Sequence, residues 1–253
     1  MNMIIFIIVK NFFIKLLNLN ALKKIVIFKM EKILLIEYPK KIQNVENFDR
    51  VYYGHETCER LLPSNLIMAK KKFKKISFLT PPVTDFGINK IKKLLNHLDP
   101  EDEIIVNDLG VLHLLKNYPF KIIIGRILGR NILYYINLNK RYNDNLKEFI
   151  SNNNIIMIET DYFNYKFTKN INFNFSYYNM PFIWTLTRRC AFNQNTKLLN
   201  MFAMCNKECL KSKAIINKKD KKFILEFNRL TSLKKIKITN LGFKRVVFKQ
   251  NKN

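Results

Sequence analysis

The chain has 253 residues and a mass of 30.3 kDa, is 48% hydrophobic, and carries 45 Lys and Arg against 19 Asp and Glu, a formal charge of +26. That length supports one large domain with its own core, and that apolar content excludes a disordered chain. The six Gly and seven Pro form no Gly/Ser-rich linker between two domains, and the surplus of cations points either to an anionic partner, nucleic acid or membrane surface, or to an AT-rich base composition that inflates Lys, Asn and Ile.

Residues 1–29 read as an N-terminal extension and 30–253 as the domain. Met3–Val9 is apolar and Phe12–Leu17 nearly so. Lys10, Lys15, Lys23 and Lys24 interrupt them, so no stretch reaches the roughly 20 apolar residues of a transmembrane span. The segment is either an extension ahead of a functional start at Met30 or an amphipathic helix that touches a membrane or serves as a targeting signal. No secretory signal is recognisable, which makes the reducing cytoplasm the expected compartment. Four cysteines there speak for metal or catalysis before disulfides.

From residue 32 onward, short branched apolar runs alternate with amphipathic ones. Lys32–Tyr38 and Val51–Gly54 read as strands, and Leu61–Lys75 as a helix. Ile76–Leu79 is a strand stopped by Pro81-Pro82. Ile88, Ile91, Leu94, Leu95 and Leu98 share one face of a helix. Glu103–Val106, Lys121–Gly125 and Ile155–Ile158 are strands, Leu109–Leu115 a short helix, and Leu146–Asn152 the close of another. Beyond Asp161 the rhythm breaks into the Asn-, Phe- and Tyr-rich stretch 164–178, followed by strand candidates at Phe223–Phe227 and Arg245–Lys249. The β–α–β–α order with apolar strands predicts an α/β fold with a parallel sheet, doubly wound or a (β/α) barrel. No G-x-G-x-x-G follows a strand, which weakens a dinucleotide-binding fold. In a barrel the strand ends would bring Gly54–Cys58, Asn107-Asp108, Arg126, Glu159 and Asp161 to one mouth.

The cysteines are Cys58, Cys190, Cys205 and Cys209, one early residue plus a C-x14-C-x3-C segment within 188–210. Cys205 and Cys209 would share a helix face. An iron–sulfur cluster, a Cys₄ zinc site and buried free thiols are all compatible with this spacing. Arg60, Arg188, Arg189 and Lys207 would lower thiol pKa and offset a cluster's charge. Asp108 and Glu159 are the acid/base candidates because they close neighbouring strands, and Arg126 could bind an anionic cosubstrate; Asp108 could equally cap the Leu109–Leu115 helix. His55 reads as a loop residue beside the cysteines, positioned to bond to a thiolate, while His97 and His113 read as structural. His55-Glu56 lacks the second His of H-E-x-x-H, and no G-x-S-x-G occurs. Trp184 and Tyr177/Tyr178 are assigned to core packing ahead of stacking on a base or quinone ring.

Several segments resemble the peptidase U32 family. VYYGHETCER (51–60) is similar to a strand ending in Gly followed by a cysteine. IIVNDLGVLHLL (104–115) is similar to the family's strand–Asp-Leu-Gly–helix motif and FKIIIGRILG (120–129) to its next strand. RRCAF with MCNKECL resembles the late cysteine cluster, and FILEFNRLTS a late strand of the same fold. The resemblance implies a single (β/α) barrel-like domain, an incomplete or irregular TIM-type barrel, carrying a [4Fe–4S] cluster on Cys58, Cys190, Cys205 and Cys209. It also implies oxygen-independent hydroxylation of a small aromatic or quinone precursor, as in ubiquinone biosynthesis. The chain would act as a catalytic or accessory subunit in a heterodimer with a related U32-type protein. The alternatives are hydroxylation of tRNA or rRNA bases, a U32-type protease, and a zinc-stabilised RNA-binding module.

Overall fold

The computed structural model describes residues 30–40, 45–73, 75–138, 142–161, 168, 171–187, 190, 192, 205, 207–218, 221–232 and 243–250. In chain order the elements are β1 (Glu31–Glu37), β2 (Arg50–Gly54), α1 (Ile67–Lys72), β3 (Ile76–Leu79), α2 (Asp85–Leu95), β4 (Glu103–Val106), α3 (Leu109–Leu115), β5 (Lys121–Ile124), α4 (Arg126–Leu138), α5 (Tyr142–Asn152), β6 (Ile155–Thr160), β7 (Phe175–Tyr178), β8 (Ile183–Leu186), β9 (Ala214–Lys218), β10 (Lys221–Glu226), β11 (Arg229–Ser232) and β12 (Arg245–Lys249). Short 3₁₀ turns cover Glu59–Leu61 and Glu208–Leu210.

Eight strands close into a barrel in the order β1-β12-β7-β6-β5-β4-β3-β2, all pairs parallel. The expected (β/α) barrel is therefore complete as a ring of strands. Its two apolar layers explain why the strands read as continuous runs. Ile33, Leu35, Tyr52, Leu79, Ile105, Ile123, Met157, Tyr178 and Val247 fill the interior. The alternate residues Leu34, Ile36, Val51, Phe78, Ile104, Val106, Ile122, Ile124 and Ile158 face the helices, meeting Ile91, Leu94, Val111 and Leu115. Below the interior layer, Arg245 pairs two-pronged with Glu103 (2.7 and 2.8 Å), and Ser77 donates to the same carboxylate at 2.8 Å.

Between β7 and β12 the chain departs from the alternating rhythm. β8, β11, β10 and β9 form a separate four-stranded antiparallel sheet in that order. The FILEFNRLTS segment thus makes a β10–β11 hairpin of this satellite sheet and not a barrel strand. Two further expectations are corrected. The stretch Leu61–Lys75 is not one helix: Leu62 is extended (ψ 140) ahead of Pro63, and the helix starts only after Asn65, whose Oδ1 accepts from Ile67 N at 2.6 Å. The helix expected over Ile88–Leu98 runs one turn earlier, opening at Asp85, which suits the positive helix start. The run Arg126–Leu138, not anticipated above, forms α4. No helix among the described residues is long and apolar enough to cross a membrane.

Candidate functional site

The C-terminal ends of the parallel strands gather buried polar groups, as the mouth of a barrel does. Glu37 ends β1, Glu56 follows β2, Thr80 follows β3 and Asn107 follows β4. Arg126 opens α4, and Glu159 and Asp161 lie at the end of β6; each is almost wholly buried. Asn107 Nδ2 donates to Thr80 O (3.0 Å), and its Oδ1 accepts from Ile127 N (3.1 Å), so it ties three strand ends together and caps α4. Gly129 lets α4 approach β6 closely: a Cβ there would stand 2.8 Å from Glu159 O.

Two arginines organise the charges. Arg126 pairs two-pronged with Glu56, Nη2 reaching Oε2 at 2.6 Å, and its guanidinium lies 4.3 Å from the Tyr178 ring centre. Arg229, from the start of β11, donates to both Glu37 oxygens (2.6 and 2.7 Å), to Glu56 (3.1 Å) and to Glu226 (3.3 Å). Lys249 at the end of β12 completes the network with Glu37 (2.9 Å) and Glu226 (3.1 Å). Burial works against ionising Glu226 and Glu37, but Arg229 and Lys249 prevail, holding Glu226 at about 2 and Glu37 well below the usual carboxylate range. Both arginines are fixed as cations by these carboxylates, despite burial.

Glu159 behaves in the opposite way. Burial, reinforced by the charge of Glu56, pushes its carboxyl up to about 8, against the pull of Tyr178 and Arg126. Tyr178 Oη donates to Glu159 Oε2 at 2.8 Å, while Glu159 Oε1 and Tyr52 Oη are buried without a hydrogen-bond partner of ordinary geometry. Glu159 and Arg126 are therefore brought into one charge network through Glu56. Asp108 is engaged elsewhere: it caps α3, accepting from Gly110 N (2.7 Å) and Val111 N (3.4 Å), and also accepts from Val83 N (3.4 Å). Asp108 and Glu159 do not close neighbouring strands, since β5 lies between β4 and β6.

Beside this network lie the cysteines. Cys58 and Cys190 pack with Cys209, Leu61, Phe192 and Phe227 in an apolar pocket. Cys190 and Cys209 share a hydrogen bond that, with burial and the neighbouring thiols, raises the Cys209 pKa. Burial pushes Cys58 up to about 11, with further contributions from Cys205 and Cys190. All four cysteines are free thiols near one another. Lys90, whose Nζ donates to Leu62 O at 2.6 Å, senses the charges of Lys207, Cys58 and Arg60. Arg188 and Arg189 lie outside the described residues. Cys205 and Cys209 are not on one α-helix; Cys209 sits in a 3₁₀ turn entered through Lys207 in the left-handed region (φ 61).

The two clusters share a wall. His55 Nδ1 accepts from Thr57 N (3.2 Å) and Cys58 N (3.1 Å), so it orders the Cys58 backbone and bonds to no thiolate. Burial lowers its pKa to about 4, leaving a neutral ring whose proton sits on Nε2. The tip of the β10–β11 hairpin closes over this loop: Phe227 (φ 59) meets the His55 ring edge-on at 4.7 Å, and Asn228 Nδ2 donates to Thr57 O at 2.7 Å and to Thr187 O at 2.9 Å.

Glu56 and Asn107 stand at the mouth as the strand ends led one to expect, whereas Glu37, Lys249, Phe227, Asn228 and Arg229 are absent from the sequence-derived candidates. Glu37 carries the same strand-end signal that picks out Glu159; Arg229 carries none. Tyr178 is buried as expected but faces the mouth, and Tyr177 stacks on Phe243 at 5.3 Å. Trp184 is not core: it is 45% exposed.

The donor set suits a thiophilic group, in that four thiols, an apolar pocket and nearby cations match the chemistry of an anionic iron–sulfur cluster. Among the described residues no three His, Cys, Asp or Glu side chains stand at the spacing that would clasp one metal ion. Fold and site together define a parallel (β/α) barrel with a buried, charge-paired mouth and an adjoining cysteine pocket. Compared with protein-family models, curated proteins and solved structures, the chain has no match.

Proposed function

We propose that the chain is an iron–sulfur protein of the U32 type, in which Cys58, Cys190, Cys205 and Cys209 hold a [4Fe–4S] cluster beside the barrel mouth. In this reading it takes part in oxygen-independent hydroxylation of a quinone precursor or similar small aromatic compound, as catalytic or accessory subunit with a related partner in the cytoplasm. The observation that carries it is the gathering of four thiols, drawn from positions 58 to 209, against the loop that also supplies Glu56 to the mouth. When bound, such a cluster supplies one-electron redox chemistry. The protein's own groups supply the rest. Glu159, held protonated at neutral pH, can give a proton to a substrate oxygen and take it back. Arg126, locked on Glu56, covers the Tyr178 ring, and Tyr178 orients the Glu159 carboxyl. His55 fixes the Cys58 amide.

Purification without oxygen, followed by iron, sulfide and zinc analysis and a visible spectrum, tests the reading. About four iron and four sulfide per chain are expected. Zinc retained with no iron would overturn it in favour of a zinc-stabilised RNA-binding module. The formal charge of +26 favours a second reading, hydroxylation of a base in RNA. Binding of an RNA oligonucleotide that weakens steeply with salt separates that substrate from a small aromatic one.

A further inference from the structure

We infer that Lys40, Lys213 and Lys249 form a binding site for the phosphate group of a small molecule, at the rim of the barrel mouth. Three separate elements bring these side chains together. The turn after β1 carries Lys40, whose backbone N–H donates to Glu37 O at 3.1 Å. Lys249 ends β12 and reaches Glu37 at 2.9 Å and Glu226 at 3.1 Å. Lys213 stands just ahead of β9 and pairs with the other Glu226 oxygen. Glu37 and Glu226 thus link the group, and Arg229 pairs with both.

The charges in this group do not balance. Lys40, Lys213, Lys249 and Arg229 are four cations around two carboxylates, Glu37 and Glu226, a surplus of two. Arg229 also touches Glu56, but Arg126 already matches that carboxylate. Lys40 is half-buried and takes part in none of the ion pairs among the described residues. Burial, then the charge of Lys249, lowers its pKa, and Lys213 adds to the effect against the pull of Glu37 and Glu226. Uncompensated positive charge that is partly out of water is what a bound anion neutralises. A phosphate monoester carries about two negative charges at neutral pH, which equals the surplus, and its oxygens suit ammonium groups as point charges. The site is reachable, since the Lys213 and Lys249 side chains are 39% and 22% exposed. An RNA backbone brings one charge per phosphate and would leave part of the surplus unmatched. Arg126, whose fork is closed on Glu56, leaves the holding of an anion to these lysines. The inference does not rest on the cysteines; it adds that a compound handled at the mouth carries phosphate and is anchored where β1 and β12 end.

The test is calorimetric titration of the full chain with inorganic phosphate at fixed ionic strength. Expected is saturable binding that Lys40→Met weakens about tenfold, as for the loss of one charge-assisted contact. Because Lys40 pairs with no described carboxylate, this variant keeps the ion pairs of the fold, and its far-ultraviolet circular dichroism should match that of the wild type. Lys92→Met removes an equal charge from the exposed side of α2 and should leave the affinity unchanged. Phenyl phosphate should displace inorganic phosphate, and a single-stranded RNA oligonucleotide without terminal phosphates should not. Binding that does not saturate, or that Lys40→Met and Lys92→Met weaken alike, would be a diffuse response to net charge and overturn the inference. Displacement by the oligonucleotide would overturn it in favour of an RNA backbone. Iron and sulfide content plays no part in these readouts, so failure here and failure of the cluster assignment are told apart.

Discussion

Arg229 and Glu37 form a two-pronged ion pair across 192 positions of sequence, at 2.6 and 2.7 Å, with both side chains all but sealed from solvent. The pair joins the satellite sheet to the first barrel strand. Removing one member leaves the other charged and buried, which costs about 3–5 kcal/mol. Arg229→Met alone is therefore expected to lower urea stability by that order. Glu37→Met added to it should recover part of that loss, because the buried Glu37 carboxylate is then no longer left with Lys249 as its remaining cation. A double mutant no more stable than the single one would show that the hairpin is held by other contacts.

The Glu159 carboxyl, raised from 4.5 to about 8, binds a proton in the folded protein that the unfolded chain releases. Below about 4.5 both states are protonated and the contribution is fully present. As pH rises through this window the unfolded state binds fewer protons, so stability falls by about 1.4 kcal/mol per pH unit, and the loss is complete above about pH 8. Glu159→Gln keeps a neutral hydrogen-bonding group and should remove that slope between pH 5 and 8. Denaturation curves at several pH values, wild type against variant, provide the comparison.

Asn228 holds the Cys58 loop by donating to Thr57 O at 2.7 Å. Asn228→Ala should cost about 1–3 kcal/mol, the range for an acceptor left buried and unsatisfied. If the thiols hold a cluster, iron should also leave the variant faster in air, read from the decay of its visible absorbance. Cys58→Ala should leave little iron and sulfide from the start. A Cys58→Ala protein with full iron and sulfide content would exclude Cys58 as a ligand.

Gly54 ends β2 at φ +147, and a Cβ on it would stand 2.1 Å from Leu79 O on β3. Gly54→Ala should therefore destabilise by about 3 kcal/mol through backbone strain, with the clash adding to it. Thermal melts against a Gly110→Ala control, where the nearest atom is the Asp108 carboxylate at 3.0 Å, separate strain from general loss of glycine.

The barrel strands are legible because each is a short branched run flanked by polar turns: KIII, EIIV and ISFL differ from their surroundings in both propensity and burial. Pro63 marks where the Leu61–Lys75 stretch breaks, and outweighs the helical spacing around it. The satellite sheet is harder to read, since a partly buried strand such as KKFILE, with only Phe223 and Glu226 buried, does not say which sheet it joins. The site divides in the same way. Glu159, Arg126 and Cys58 stand next to strand ends, so local position identifies them. Arg229 acts through pairing with a residue at the far end of the domain, and no local pattern encodes that. Asp108 has the right position but spends its oxygens on amides: the local cap on Gly110 and Val111 is one of the two roles its sequence position allows, and the contact with Val83 is the part that no local pattern encodes.

The closing strand has a consequence for how the molecule is made. β12 lies between β1 and β7, and Glu31 finds its register partner at Arg245. On the ribosome, β1 must therefore wait with one edge unpaired until nearly the whole domain has been synthesised. Contacts so distant in sequence form slowly, and an open strand edge invites pairing with other chains. Nascent chains stalled before residue 245 should depend on chaperones far more than those released after 250, and aggregation during expression should fall when translation is allowed to finish quickly.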